Sequence, residues 1–149
     1  MSTAPKLLII EARFYNDLAD ALAEGAIKTI EKAGGSYDRI AVPGVLEIPA
    51  ALSMVMTSME NEGVLYDGFV LLGVVIRGET THYDIVANES NRVIMDLIVD
   101  ADLAVGNAIL TVENGDQAWA RAKIDDMNKG GAAAQAALDM IALRERLGV

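Results

Sequence analysis

Apolar and polar positions change their period in a regular order along the chain. Leu7-Leu8-Ile9-Ile10 is a continuous apolar run, as expected for a strand covered on both faces. After Phe14 and Tyr15, Leu18, Leu22, Ala26, Ile27 and Ile30 recur at helical spacing to about Ala33, and Gly34-Gly35 stops that helix. Tyr37 to Val42 reads as a half-alternating strand ended by Pro43-Gly44. A helix follows from about Ile48 to Asn61, with Gly63 behind it. Phe69 to Ile76 is a third strand, Thr81 to Val99 a third helix, and Leu103 to Thr111 a fourth strand. Gly115 to Ala122 starts a short helix, and Gly130 or Gly131 precedes a last one to about Arg146. Four strands separated by helices predict one α/β domain over residues 1–149, with a parallel sheet covered on both faces.

The segment Pro49-Ala50-Ala51-Leu52-Ser53-Met54-Val55-Met56-Thr57-Ser58-Met59 carries no charged face. A helix in a small domain normally shows water a polar stripe. This one is expected to be buried all round, with a partner subunit covering its second side, because large apolar patches need covering. Methionines suit such an adaptable packing surface.

Composition narrows the partners. Hydrophobic residues make up 52% and aromatics only 5%, so the core must be aliphatic. The formal net charge of -10 argues against nucleic acid, whose phosphates need a basic face. There is no cysteine, hence no disulfide or thiolate chemistry. One histidine and scattered carboxylates do not make a transition-metal constellation, and no Gly-x-Ser-x-Gly elbow is present. No apolar stretch reaches the ~20 residues of a membrane span. Met1 to Lys6 is too short for a signal peptide, so a cytoplasmic location without membrane attachment is expected.

The single histidine, His82, lies in Gly73-Val74-Val75-Ile76-Arg77-Gly78-Glu79-Thr80-Thr81-His82-Tyr83-Asp84. Here an apolar strand breaks at Gly78 into hydroxyls, and a long helix follows. In open α/β sheets ligands bind where strand carboxyl ends meet helix amino ends, and a helix amino terminus favours an anion. Histidine moves protons near neutral pH. The segment therefore offers an anion cradle beside a proton shuttle. Without chemistry, Thr81-x-x-Asp84 is only a capping box. The same edge should carry Glu11 to Asn16, Val42-Pro43-Gly44-Val45-Leu46-Glu47 and Thr111-Val112-Glu113-Asn114. Phe14 would stack on a planar ligand or merely staple its helix. Glu47 would accept from ligand hydroxyls or answer the dipole of the next helix.

Ala12-Arg13-Phe14, Val42-Pro43-Gly44-x-x-Glu47-Ile48-Pro49, Gly73 to Asp84, and Asn128-Lys129-Gly130 resemble the lumazine synthases, in this order and at matching spacings. Thr111-Val112-Glu113-Asn114 followed by Gln117-Ala118 and Arg121 is similar too, so the resemblance covers essentially the whole chain. It implies a flavodoxin-like three-layer sandwich with a four-stranded parallel sheet. It also implies pentamers with active sites between adjacent subunits. The implied activity is condensation of 5-amino-6-(D-ribitylamino)uracil with 3,4-dihydroxy-2-butanone 4-phosphate, without a cofactor, in the penultimate step of riboflavin biosynthesis.

Carried over residue by residue, the resemblance implies that Phe14 stacks on the pyrimidine and Glu47 binds ribityl hydroxyls. Val45 and Leu46 join Glu47 in the substrate-binding turn. The backbone of Val74, Val75 and Ile76 reads the uracil edge. Gly78, Glu79 and Thr80 hold the phosphate, with Glu79 expected to contribute only its backbone. Arg121 of the adjacent subunit pairs with that phosphate, Lys129 contacts the uracil carbonyl region, and His82 shuttles protons. Asn107 stands where some members place an aromatic ring near the ribityl chain, and Tyr15 where several have Asn or Trp. The segment before Leu7 is short, which puts a sixty-subunit shell in doubt. A flavin-binding module with the same fold would use Glu47 but leave Arg121 and His82 idle. A shell protein that had lost activity would not need the full set of site residues.

Overall fold

In the computed structural model, which describes residues 3–149, the strands and helices alternate from end to end. Strand β1 (Lys6–Ala12) leads to α1 (Asn16–Lys32), then β2 (Ser36–Val42), a single 3-10 turn (Val45–Glu47) and α2 (Ile48–Glu60). Strand β3 (Gly68–Ile76) leads to α3 (His82–Ala101), and β4 (Val105–Val112) to α4 (Gly115–Ala122) and α5 (Lys129–Leu147). All pairings are parallel, in the order β2-β1-β3-β4. This is the expected three-layer α/β sandwich.

Side chains alternate across the sheet and split the core in two. Leu7 and Ile9 of β1 pack with Leu18, Leu22, Ala26 and Ile30 of α1 and with the alanines of α5. Leu8 and Ile10 pack on the other face with Ile48 and Leu52 of α2 and Ile94 of α3. Both faces of β1 and β3 are buried, which is why these strands read as unbroken apolar runs.

Two features differ from the sequence reading. Strand β4 starts at Val105 rather than Leu103, because Asp102 ends α3 in the left-handed region (φ 51°) and Leu103 N–H donates back to the Ile98 carbonyl at 3.0 Å. Periodicity alone does not reveal that reversal. The second concerns α2, which within one chain is not buried all round. Ile48, Ala51 and Leu52 are buried, Val55, Met56 and Met59 pack partly against the core, and Met54 is 69% exposed.

Helix α5 crosses β4 very closely at Gly106. A Cβ placed there would lie 1.7 Å from the Ala133 carbonyl oxygen, an overlap with backbone that no rotamer change relieves. Overpacking typically costs about 1–3 kcal/mol, and a backbone clash sits at the upper end or beyond. Gly106→Ala is therefore expected to lower the urea midpoint by at least that free energy divided by the slope, with the slope itself unchanged. A variant as stable as the parent would mean that α5 shifts freely on the sheet.

Candidate active site

Strand order reverses between β1 and β3: the chain steps from β1 outward to β2 and then returns to the far side of β1. The loops leaving β1 and β3 must therefore diverge to opposite faces, and a crevice opens between their carboxyl ends. A cavity of about 490 Å3 occupies this place, within the usual size of a small-molecule site.

Three loops line it. Phe14 and Tyr15 come from the turn after β1, and Pro43 to Glu47 from the turn after β2. Val74, Val75, Ile76, Gly78, Thr80, His82, Tyr83 and Val86 come from the end of β3 and the start of α3. The second loop can press against the sheet because position 73 is glycine: a Cβ there would lie 2.7 Å from the Val45 side chain. Buried Ser90 of α3 holds the turn from the other side, its hydroxyl donating to the Val45 carbonyl at 3.4 Å. Glu47 stands at the amino end of α2 with its side chain making no cap bond. It is exposed and lines the cavity.

The Gly78 to His82 turn is solvent-exposed and held at its flanks. Thr81 is the N-cap of α3, yet its side chain makes no cap bond. The capping-box reading is corrected accordingly: the Thr81 carbonyl accepts from Asp84 and Ile85, and the Thr80 hydroxyl accepts from the His82 N–H at 3.3 Å. Arg77 fastens the base of the turn. Its N–H donates to the Val112 carbonyl at 2.9 Å, its guanidinium meets Glu113 at 3.0 Å and Asp84 at 3.7 Å, and it lies 4.2 Å from the centre of the Tyr83 ring. The hydrogen bond to Glu113 is the main reason that the Arg77 pKa is raised. Tyr83 and Val86, neither given a role from sequence, also enter the cavity. Val86 lies four residues beyond His82 and three beyond Tyr83, the helical spacing that could have found it.

The expected site residues divide into two groups. Phe14, Val45, Leu46, Glu47, Val74, Val75, Ile76, Gly78, Thr80 and His82 meet in the cavity, while Glu79, Asn107, Arg121 and Lys129 do not line it within one chain. Asn107 sits on an exposed position of β4, donating to Asn91 at 2.9 Å and accepting from the Ile109 N–H at 2.8 Å. Arg121 lies in the last turn of α4 and donates to the Gln117 carbonyl at 3.1 Å. Lys129 opens α5, beside Asn128, whose side chain accepts from the Gly131 N–H. Among the described residues no lysine or arginine lines the cavity.

Fold and site together define an α/β protein with an apolar cleft at the switch point of a parallel sheet and a histidine at its rim. The 6,7-dimethyl-8-ribityllumazine synthase family model matches residues 4–145, and the chain belongs to this family. It is 61% identical over 144 residues to the 6,7-dimethyl-8-ribityllumazine synthase of Agrobacterium fabrum, covering 97% of each chain. It is 59% identical over 142 residues to 6,7-dimethyl-8-ribityllumazine synthase 1 of Rhizobium meliloti, covering 95% of this chain and 93% of that one. With the corresponding enzyme of Bartonella tribocorum the identity is 58% over 148 residues, covering 99% and 95%.

Proposed function

We propose that the chain catalyses the condensation of 5-amino-6-(D-ribitylamino)uracil with 3,4-dihydroxy-2-butanone 4-phosphate to 6,7-dimethyl-8-ribityllumazine, the penultimate step of riboflavin biosynthesis. The observation that carries this is the cleft itself: in a chain of this family, ten of the expected site residues meet at one switch point. The test is to mix the two substrates with the protein and follow phosphate release together with the fluorescent product. A flavin-binding module would give neither.

In this reading Phe14 stacks on the pyrimidine, Glu47 accepts from ribityl hydroxyls, and main-chain groups of Val74 to Ile76 meet the uracil edge. The 5-amino group forms a Schiff base with the ketone and releases water, phosphate leaves from the butanone chain, and the ring closes on the ribitylamino nitrogen with loss of a second water. Gly78 and Thr80 hold the phosphate, Glu79 adds only its main chain, and His82 moves protons between amine, carbonyl and water. Lys129 and Asn107 complete the uracil and ribityl ends of the site. No cofactor enters these steps.

Among the described residues of one chain no basic side chain lines the cleft, which supports a site completed from outside. A phosphorylated substrate needs a cation, and Arg121 from an adjacent subunit would supply it. Arg121 makes one main-chain hydrogen bond within its own chain. We accordingly propose a homo-oligomer built from pentamers with active sites between neighbours. Among the described residues no helix is long and apolar enough to cross a membrane. The acidic charge disfavours nucleic acid, and a cytoplasmic location fits a chain that needs neither.

Arg121→Ala should weaken the phosphate-bearing substrate far more than the ribityl one. A charge-assisted contact contributes on the order of 1.5–3 kcal/mol, so one KM should rise roughly ten- to hundredfold. Equal effects on both substrates would assign Arg121 a folding role. His82→Ala should slow turnover by about a hundredfold or less, the low end of general acid–base catalysis, since positioning of amine and ketone survives. A folded but wholly inactive variant would contradict that division of labour. Met54→Glu should dissociate the oligomer, because a charge forced into an apolar interface costs several kcal/mol. Met54 is the better probe than Val55 or Met56, which also pack on their own chain's core. Light scattering should report the mass of single subunits and the turnover assay no activity, and an active monomer would overturn the shared site.

A further inference from the structure

Glu11 is the one buried carboxylate among the described residues, 2% exposed at the carboxyl end of central strand β1. A buried charge needs partners, and Glu11 has two. Arg39 of β2 meets it with Nε to Oε2 at 2.6 Å and Nη2 to Oε1 at 2.9 Å. Arg13 meets it with Nη1 to Oε1 at 2.7 Å. The catalytic scheme uses none of these groups.

Arg13 does not stop at Glu11. Its Nε donates to the Asn16 side chain at 3.0 Å, and its Nη2 to the Asn16 carbonyl at 3.3 Å and to Asp20. Asn16 and Asp20 belong to the first turns of α1. One guanidinium therefore spans both ends of the short turn that contains Phe14 and Tyr15. Its main-chain N–H adds a bond to the Val42 carbonyl at 3.0 Å. Phe14 needs an external restraint: it is 74% exposed and its resolved aromatic partner is Tyr15, edge-on at 4.9 Å within the same turn. Packing on the core does not hold this ring, so the turn beneath it must.

We propose that Glu11 is a positioning residue for the pyrimidine-binding step: it anchors Arg13, and Arg13 clamps the turn that presents Phe14 to the cleft. This rests on the reading that Phe14 stacks on the pyrimidine. Arginine suits the task because its five donors lie in a rigid planar fork that fixes the directions of its acceptors, whereas a lysine ammonium is a compact charge with three rotating donors. Arg39, on the neighbouring strand β2, meets both Glu11 oxygens and balances the rest of its charge.

The experiment is a double-mutant cycle in the assembled enzyme between Glu11→Gln and Phe14→Ala, reading the KM of each substrate. Glu11→Gln should raise the KM of the ribitylaminouracil about three- to tenfold, the range over which aromatic contacts contribute. The KM of the phosphate-bearing substrate should stay within about twofold, since positioning acts on one subsite alone. In the Phe14→Ala background Glu11→Gln should produce no further rise, because the residue it positions is gone. A merely structural Glu11 would raise both constants, or add its effect in full to that of Phe14→Ala, and either result overturns the proposal. Should Glu11→Gln fail to fold, Arg13→Lys runs the same cycle. It keeps a positive charge beside Glu11 and loses the fork, so additive behaviour there also overturns it. If Phe14→Ala alone leaves the ribitylaminouracil KM unchanged, the stacking reading fails first and takes this proposal with it. If Phe14→Ala raises that constant and Glu11→Gln does not, stacking stands and the positioning role falls.

Discussion

Each strand of this sheet is joined to the next by a helix, so all four run the same way and every strand releases its chain at one edge. Such connections are right-handed. With the order β2-β1-β3-β4, the helices after β1 and β3 must leave toward opposite faces. The crevice between those two strand ends is thus a product of topology rather than of any one side chain. Residues far apart in sequence, Phe14, Glu47 and His82, share it because each lies in the first few positions after a strand.

The crevice walls follow from the core below. Apolar packing on both faces of β1 and β3 holds the strand ends in place, and Gly73 lets the Val45 turn lie directly on the sheet. Above this floor the restraints become ionic. Arg77 joins β3, β4 and the start of α3, while Arg13 joins β1 and α1. Exposed ion pairs contribute little to stability individually. Their value at the rim is directional: they hold polar loops that cannot be buried, and a ligand finds the loops already placed.

Much of this was legible in the residues. The doubly buried strands announced themselves as apolar runs, and the Gly-Gly and Pro-Gly pairs marked where helix and strand end. The turn after β3 stood out because hydroxyls and the single histidine interrupt an aliphatic chain. Leu103 misled because it is apolar and adjacent to a strand, whereas the left-handed Asp102 is visible only in backbone geometry. Glu11 was placed at the right edge without a task. A carboxylate in an apolar strand has no local partner in sequence, and Arg39 lies twenty-eight positions away. Tyr83 and Val86 were hidden for a milder reason, since the helix after β3 was read for its extent and not for the face it turns to the cleft. Burial of α2 was inferred from composition, and a single chain shows only the part of that helix it covers itself, which leaves Met54 exposed.

The solitary imidazole has a spectroscopic consequence. With one histidine per chain, and that one at the rim of the cleft, the imidazole region of a proton NMR spectrum reports on the site alone. Every chain contributes a single Cε1–H resonance. The number of lines counts inequivalent sites directly: one where all copies of the chain are alike, more where they differ in occupancy. Partial filling by a slowly exchanging ligand would split that line in proportion, so filling of the cleft can be read without labelling any other residue.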